Sequence, residues 1–349
     1  MAKGFGRVQK RCQKLEKCKD RLSELNEVIP WEVFRSCLDQ LGLQERKSKG
    51  GRKPIDRLIL FKLLILQQLY NVSDEELEYQ THDRASFRRF LGLAPAAAVP
   101  DAKTIWLFRK RLTEAGLIEE LFQQFEQFLP TAGYEAKGGQ MIDATLVPVP
   151  IQRHSREENQ PIKNGETPAA WEKEPYKLSQ KDVDARWTQK NGNNDYGYKK
   201  HINVDVADGF IRQHSVTDAA VHDSQELETV LDDDNADDGV WADSAYRSEE
   251  TERTLEIEEY ESHIHEKARN RPLGEAQKAS NREKSKIRAK VEHVFGGWVT
   301  SMGGKMVRCI GLERVSAYLG LKDLTFNLKR YVFWQKRENC RLSVPNGEN

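Results

Sequence analysis

The sequence predicts an α+β fold in which an N-terminal helical domain precedes a domain built on a mixed five-stranded sheet covered by helices. Apolar residues recur with helical spacing as far as Leu129, whereas after Gly138 and Gly139 they alternate with polar residues. Segments with strand and helix patterns then follow one another to residue 335. With 349 residues, the chain is long enough for two domains.

Residues 1–53 form a basic segment that ends in a linker. They contain fourteen Lys and Arg residues against seven Asp and Glu residues. Gly50, Gly51 and Pro54 interrupt regular structure at the end of this segment. We therefore place the next domain, which is helical, at residues 54–133.

Helix boundaries within 54–133 follow from residues that cap helix ends. The run from Ile55 to Tyr70 is apolar nearly all round, which predicts a buried helix with the preceding proline in its first turn. Ser73 opens a capping box, and we expect Asp83 and Asp101 to cap the next two helices. A further amphipathic helix covers 117–129. Short helices joined by tight turns, with exposed Arg and Lys, resemble a helix-turn-helix arrangement, so this domain is predicted to bind DNA.

The second domain spans residues 138–335, and its clearest element is a hairpin at 198–217 with an Asp-Gly turn. The other predicted elements are a strand at 140–147, a polar and partly ordered insertion at 150–194, a helix at 224–230, a strand ending at Asp243, a helix from Ser248 to Ile257, a short strand at 262–265, a basic helix carrying Glu292 and a helix at 313–335. This is the element order of an RNase H-like domain. Residues 336–349 remain as a C-terminal tail.

Charge is segregated along the chain although the formal net charge is zero. Residues 223–261 hold sixteen acidic residues against two basic ones, and residues 267–290 hold nine basic residues against two acidic ones. Basic blocks that flank an acidic centre suit a protein that holds phosphates on two surfaces and divalent cations between them. Solvated helix faces would give the same counts, so both interpretations stay open.

Several classes of protein lack support in the sequence. The longest apolar run, Leu58 to Leu69, is interrupted by polar residues and is too short to span a bilayer, and the basic N-terminus has no apolar signal core. The five cysteines form no CxxC pair, which argues against a zinc site and a disulfide framework. Neither a P-loop nor a Gly-x-Ser-x-Gly motif occurs, so nucleotide binding and serine-hydrolase chemistry are not predicted.

Three carboxylates occupy positions that predict a metal site. Asp143 lies on one predicted strand, Asp243 ends another, and Glu292 lies beside the apolar stripe of the basic helix. Hard divalent cations prefer carboxylate oxygens, and a pair of Mg²⁺ ions can support phosphodiester cleavage and transfer. We therefore predict that these three acids are catalytic residues and ligands of Mg²⁺, with Mn²⁺ as a substitute.

Other assignments of the acids remain open at this point. Asp205, Asp223 and the acidic run 232–238 compete for the ligand roles, although a solvated turn also explains the run. Glu292, taken alone, is also explained as an exposed helix acid paired with Arg288.

The segments that contain the three acids are Ile142-Asp-Ala-Thr145, Trp241-Ala-Asp-Ser-Ala-Tyr246 and Arg288-Ala-Lys-Val-Glu-His-Val-Phe-Gly296. They resemble the three acid motifs of a DDE transposase of the bacterial insertion-sequence group whose founding member is numbered five, which is related to the insertion-sequence-four-like transposases. Segments within 51–104, 184–203 and 216–224 match as well, so the resemblance covers most of the chain. It implies magnesium-dependent cleavage at transposon ends, followed by attack of the freed 3′-hydroxyl on target DNA.

The third acid motif departs from the family pattern at two positions. Related transposases carry Tyr-x2-Arg-x3-Glu-x6-Lys, and here Arg288 and Glu292 fit, whereas Ser285 replaces the tyrosine and Val299 the lysine. The phosphate contacts of those two positions must then come from other residues. The candidate substitutes are Lys286, Lys290 and Lys305.

The resemblance also implies the partners of the protein: double-stranded DNA as transposon ends and target, and a second copy of the chain in a synaptic homodimer. It implies a prokaryotic cytoplasmic protein associated with the nucleoid, with no membrane partner. We predict that the DNA-contacting residues are Arg52, Lys53, Arg88, Arg89, Arg109, Lys110, Arg111, Lys199, Lys200, Arg247, Lys286, Arg288 and Lys290. The competing functions are an RNase H-like nuclease or resolvase that cuts without joining, and a catalytically silent DNA-binding protein.

Overall fold

The computed structural model describes residues 20–42, 54–94, 96–190, 192–268 and 272–342. The chain divides into two compact units: the helical unit, Met1–Leu117 with Asn327–Asn349, and the sheet unit, Ile118–Phe326. A helical unit and a unit with a mixed sheet confirm the α+β class. Most of the predicted basic segment, at residues 1–19 and 43–53, lies outside the described residues.

The helical unit is centred on one helix that is buried on most of its surface. The helices before the division at Leu117 are α1 (Arg21–Val28), α2 (Arg35–Asp39), α3 (Arg57–Tyr70), α4 (Asp74–Asp83), α5 (Ala85–Phe90) and α6 (Ala102–Glu114). Phe61 and Leu64 of α3 are fully buried, as the apolar run predicted. Helix α3 begins after Pro54 rather than around it, because the Asp56 side chain caps the helix by accepting a hydrogen bond from Leu58 N at 2.9 Å.

Two of the three predicted helix caps in this unit are confirmed. Ser73 Oγ accepts from Glu76 N at 3.1 Å, and Asp101 Oδ1 accepts from Thr104 N at 2.6 Å. The prediction for Asp83 is wrong, because α4 continues through this residue. Arg84 then occupies the N-cap of α5 without a side-chain hydrogen bond.

The sheet unit contains a mixed sheet of six strands in its described residues, one more than predicted. The strands are β1 (Gln140–Pro148), β2 (Arg186–Lys190), β3 (Asn193–Asp205), β4 (Ile211–Asp218), β5 (Gly239–Trp241) and β6 (Glu261–Ser262). The order is β2-β3-β1-β5-β6, and β4 also pairs with β3. Strand β1 is antiparallel to β3 and parallel to β5. This arrangement confirms the RNase H-like fold, with β1 between an antiparallel and a parallel neighbour.

Strand β2 was missed because it lies in the polar insertion between β1 and β3. The same insertion contains helices α8 (Arg156–Lys163), α9 (Ala169–Glu172) and α10 (Pro175–Gln180). Trp171 is fully buried within it and donates a hydrogen bond from Nε1 to Glu158 Oε1 at 2.8 Å. The insertion therefore has a small core of its own, where the polar composition predicted only partial order.

The remaining helices are α7 (Leu117–Thr131), α11 (Leu227–Val230), α12 (Glu249–Ile257), α13 (Glu275–Ser301) and α14 (Leu312–Leu342). The predicted hairpin is confirmed as β3 and β4, and Ser248 caps α12 by accepting from Thr251 N at 2.9 Å. Strand β5 ends at Trp241, two residues before the predicted end, and β6 covers only Glu261–Ser262. Helix α14 continues past residue 335 through the start of the predicted tail, and 343–349 lie outside the described residues.

Two glycines allow β1 and β5 to approach each other. Gly139 precedes β1 with a φ of +82°, and a Cβ atom at this position would overlap the Trp241 ring and the carbonyl oxygen of Gly239. A Cβ atom at Gly239 would overlap the same ring. The Trp241 ring in turn stacks on His263 with 4.5 Å between ring centroids. The indole therefore fills the space that side chains at both glycines would need.

The sheet unit also contains a buried arginine network. Arg212 of β4 lies 3.2 Å from Asp205 through Nε and 3.0 Å from Glu126 through Nη1. Its Nη2 donates to the carbonyl oxygen of Tyr134 at 3.1 Å. Burial opposes the charge of Arg212, but Glu126 and Asp205 more than offset this and raise its pKa. The network joins β3, β4 and α7 within the interior.

Candidate active site

Asp143 lies on β1 at the point where one of its neighbouring strands has ended. On one side it pairs in register with Ile202 of β3, whereas β5 on the other side pairs only with Gln140 and Met141. Its Oδ1 accepts a hydrogen bond from Ala144 N at 2.9 Å. The side chain is 15% exposed, so the strand presents a partly buried carboxylate at the edge of the β5 pairing.

Asp243 follows β5 in a tight turn. Its Oδ1 accepts from Ala245 N at 2.7 Å, and its carbonyl oxygen accepts from Tyr246 N at 3.2 Å. Strands β1 and β5 are parallel neighbours, so residues that follow their paired positions emerge at the same end of the sheet. The two aspartates therefore belong to one end of the β1–β5 pair.

Glu292 reaches this end of the sheet from α13. Val291, Val294 and Trp298 form the buried face of the helix, as the predicted apolar stripe required. Arg288 Nη2 lies 3.3 Å from Glu292 Oε1, and Arg288 Nη1 lies 3.4 Å from Asp143 Oδ2. One guanidinium group therefore contacts carboxylates of both β1 and α13.

Tyr246 and His265 connect Asp243 electrostatically with the other charged groups. Burial raises the pKa of Tyr246 well above its usual range, and the negative charges of nearby carboxylates, Asp143 and Asp243 among them, add to the shift. Burial lowers the pKa of His265, the positive charge of Arg288 lowers it further, and Asp243 opposes this. Asp143 and Asp243 thus share Tyr246 as a neighbour, and Asp243 and Arg288 share His265.

The donor set of this site fits a divalent cation, because carboxylate oxygens are the ligands that such ions prefer. Arg288 supplies a positive charge against two of the acids. Among the residues that the structure describes, no three His, Cys, Asp or Glu side chains lie close enough together to hold a metal ion. The side chain of Glu292 is 63% exposed, so it has room to change its rotamer.

The family described as "Transposase DDE domain" matches residues 135–328, which is more than half of the chain and contains all three predicted acids. The chain belongs to the DDE transposase family. The description "Transposase domain (DUF772)" matches residues 10–111. DDE transposases cleave DNA and join it elsewhere with divalent metal ions, so the protein is a DNA-binding enzyme of transposition, as predicted.

The transposase is also similar to one solved structure, a chain of the "Cryo-EM structure of piggyBac transposase synaptic complex with hairpin DNA". The sequence identity is 11%, the TM-score is 0.42, and the similarity covers 95% of this chain and 83% of that chain. Within the described ranges, no helix is both long enough and apolar enough to cross a membrane.

The acids that competed for the ligand roles have other partners in the transposase. Asp205 accepts hydrogen bonds from the backbone of the β3–β4 turn and contacts Arg212. Asp223 lies 2.9 Å from Lys199. Within the acidic run 232–238, Asp237 accepts from Gly138 N at 2.6 Å. These contacts give Asp205, Asp223 and Asp237 partners within the fold, as Arg288 is a partner of Asp143 and Glu292.

Several of the predicted DNA-contacting residues have partners within the protein, and one of them is fully buried. Lys200 is a correction: it is fully buried and pairs with the equally buried Asp323 at 2.6 Å, so it cannot reach DNA on the surface. Arg109 forms a bidentate ion pair with Asp74 at 2.7 and 2.8 Å. Four partly buried members also contact acids or backbone carbonyls: Arg88, Arg89, Lys199 and Arg247.

The predicted cations that remain exposed are Lys110, Arg111, Lys286 and Lys290. Arg52 and Lys53 lie outside the described residues. Charge alone did not distinguish exposed cations from buried and partly buried ones in the sequence, because some of the acids that pair with the latter are distant along the chain. Arg109 and Asp74, for example, are 35 positions apart.

The three candidate lysines around the third motif lie in different surroundings. Lys286 pairs with Glu283 at 2.7 Å, and Lys290 donates to the carbonyl oxygen of Val206 at 3.1 Å. Lys305 donates to Thr145 Oγ1 at 2.9 Å, two residues along β1 from Asp143. Ser285, at the position of the family tyrosine, lies 3.3 Å from His265 Nε2 through its hydroxyl.

A pocket of about 330 Å³ opens beside the aspartates. Its lining residues are Ala144, Thr145, Leu146, Thr188, Gln189, Lys199, Ala220, His222, Asp223 and Ala245. Thr188 and Gln189 come from β2, which the sequence analysis missed. Two of the lining residues are close to the aspartates in the sequence: Ala144 follows Asp143, and Ala245 lies two residues after Asp243.

Proposed function

We propose that Asp143, Asp243 and Glu292 are the catalytic residues of this transposase and that they ligate Mg²⁺, with Mn²⁺ as a substitute. The observation that carries this proposal is the contact of one cation, the Arg288 guanidinium, with both Asp143 and Glu292 at the end of the sheet where Asp243 also emerges. When bound there, the metal would neutralise phosphate charge and activate the attacking oxygen.

The backbone holds the two aspartates in a way that suits metal binding. Asp143 and Asp243 each use Oδ1 to accept a hydrogen bond from a backbone N–H one or two residues later. Oδ2 of Asp143 contacts Arg288, a contact that a metal ion could replace. Glu292 is the exposed member, and a rotamer change would bring its carboxylate toward the aspartates or away from them.

DNA contacts near the acids come from basic residues in the same proposal. Lys305 takes the role of the lysine that Val299 replaces, because its Nζ lies 2.9 Å from Thr145 Oγ1 beside Asp143. Arg288 matches the arginine of the family motif, and it would contact phosphate when metal ions bind the carboxylates. Lys286 and Lys290 lie on the exposed part of α13 and add positive charge for the DNA backbone.

The sequence motifs also support a more specific assignment within the DDE transposases. We propose that the transposase belongs to the insertion-sequence group whose founding member is numbered five, and that its substrates are the ends of its own element and a target duplex. Two ends must be brought together, which supports a homodimer in the synaptic complex. These substrates place the enzyme at the nucleoid of a prokaryotic cytoplasm.

The proposal is tested by strand transfer on DNA that carries the sequences flanking the gene, with Mg²⁺ and then with EDTA. Glu292→Gln preserves the shape of the side chain and removes its charge, so joined product should fall by roughly 10²-fold or more. Glu283→Gln is the matched control, because Glu283 is an exposed acid of the same helix whose contact is with Lys286.

Joined product that requires metal, persists in E283Q and is lost in E292Q supports the assignment. Equal activity of E292Q and wild type would remove Glu292 from the site. Cleavage by wild type without any joined product would favour a nuclease or resolvase, and binding without cleavage would favour a silent DNA-binding protein.

A further inference from the structure

Helix α6 of the helical unit has an exposed face on which an aromatic ring lies among cations. We call Lys103, Trp106, Leu107, Lys110 and Arg111 the outer face of α6; all are exposed among the described residues. Trp106 is 48% exposed, and the Lys110 Nζ lies 5.6 Å from its ring centroid. A large exposed indole with basic neighbours is typical of a binding surface rather than of a solvated helix.

The opposite face of α6 explains why these residues point outward. Ile105, Phe108 and Leu112 are buried, and they fix the rotation of the helix in the unit. Arg109 is held by Asp74 and Gln67 on the inner side. The three cations of the outer face therefore stay exposed, and one acid, Glu114, lies 3.4 Å from Lys110.

Helix α4 of the same unit shows that an exposed aromatic residue does not by itself indicate DNA binding. Tyr79 is 65% exposed, but its exposed neighbours on α4 include Glu75, Glu76 and Asp83. Phosphate would be repelled by this acidic surface and attracted by the outer face of α6. The unit therefore offers two exposed aromatic residues in opposite electrostatic surroundings.

We propose that the outer face of α6 docks on duplex DNA, with Lys103, Lys110 and Arg111 against phosphates and the Trp106 ring packed against sugars or base edges. Lys103 and Arg111 are eight residues apart, which is about 12 Å along a helix and close to the width of the major groove of B-DNA. Cations near both ends of the face can thus contact the two backbones that border the groove. The proposal rests on the transposase function for the identity of the DNA, which is the end of the element.

The test is the affinity of the full chain for a labelled duplex that carries the end of the element, measured by fluorescence anisotropy in EDTA. Trp106→Ala should weaken binding roughly tenfold, as expected for the loss of a buried aromatic contact at an interface. Tyr79→Ala is the matched control and should bind as wild type. Replacing Lys103 and Lys110 by Gln should each reduce the slope of log affinity against log salt by about 1.

The proposal is overturned if Trp106→Ala binds as tightly as wild type, or if Tyr79→Ala loses as much affinity. If Trp106→Ala does not fold, the glutamine variants decide, and an unchanged salt slope in both overturns the proposal. Because binding is measured without metal, it is separate from catalysis. Normal DNA binding by E292Q together with weak binding by W106A supports the outer face of α6, whether or not Glu292 is catalytic. Loss of strand transfer in E292Q but not in W106A supports the active-site proposal alone.

Discussion

Arg212 and Arg288 both contact an aspartate of the sheet and a glutamate of a helix, yet their surroundings differ. The Arg212 side chain is 4% exposed, and of its two partners Asp205 is fully buried and Glu126 is 11% exposed. Arg288 makes longer contacts, at 3.3 and 3.4 Å, and its partner Glu292 is largely exposed. The same residue types therefore form an interior network in one place and an open, exchangeable cluster in the other.

This difference in burial suits the Arg212 network to a role in stability and the Arg288 cluster to a role in catalysis. A buried charge must keep its partner, because the partner left alone in the interior has no water to solvate it. An exposed carboxylate can exchange its partner at little cost, since water and salt screen it. Of these two clusters, the Arg288 cluster is thus the one in which a metal ion or a phosphate would replace a side-chain contact at the lower cost.

The largest expected effect on stability comes from the buried network. Arg212→Met removes the charge and leaves Asp205 and Glu126 buried without their cation, so the free energy of unfolding should fall by about 3–5 kcal/mol. Urea unfolding followed by circular dichroism measures the change. Arg282→Met, at an exposed position of α13, is the control and should change little. Similar losses in the two variants would contradict the structural role of Arg212.

A second prediction concerns pH and the buried His201. Its Nε2 lies 3.0 Å from Thr217 Oγ1, and burial lowers the pKa of His201 to about 4, against the opposing charge of Asp223. As the pH falls through 6.5, His201 of the unfolded chain takes up a proton, whereas His201 of the folded chain does so only near pH 4. The free energy of unfolding therefore decreases as the pH falls from 6.5 toward 4.

The decrease in the free energy of unfolding that is due to His201 should reach about 3 kcal/mol between pH 6.5 and pH 4. His201→Gln removes it, so the free energy of unfolding of the variant should decline less than that of wild type between pH 7 and pH 4.5. The measured quantity is the difference between the two chains, because other buried groups also titrate. Parallel declines in the two chains would show that His201 is accessible to protons in the folded state.

The smallest effect on stability is expected at the open cluster. Arg288→Gln should lower the free energy of unfolding by less than Arg212→Met does, because Arg288 is more exposed than Arg212 and its partner Glu292 is 63% exposed. It also removes a cation that competes for Asp143 and Glu292, so Mg²⁺ should raise the melting temperature of R288Q at lower concentrations than it does in wild type. Asp143→Asn in the same background should abolish that shift. A higher Mg²⁺ requirement in R288Q would mean that Arg288 helps to build the metal site.

Patterns within a short stretch of sequence predicted much of the fold. Alternation around an Asp-Gly turn gave the β3–β4 hairpin, and local chemistry identified the caps at Ser73, Asp101 and Ser248. Asp143 and Glu292 were expected together, and their shared contact with Arg288 agrees with that expectation. Their roles in catalysis stay predictions until the variants are measured.

Contacts between distant residues could not be read from the sequence in the same way. Lys200 looked like a surface cation beside other basic residues, because nothing near it reveals a buried acid at position 323. The polar insertion concealed β2 and a core around Trp171, since one buried indole does not produce a periodic pattern. The pocket beside the aspartates depended on β2 and was missed with it.

The two glycines around Trp241 restrict how this enzyme can change over generations. Charged residues on the surface can be exchanged one at a time, but alanine at Gly139 or Gly239 would overlap the Trp241 ring, and at Gly139 also the carbonyl oxygen of Gly239. Asp143 lies on one of these strands, and Asp243 follows the other. Gly139 and Gly239, which carry no functional group, therefore help to set the separation of Asp143 and Asp243.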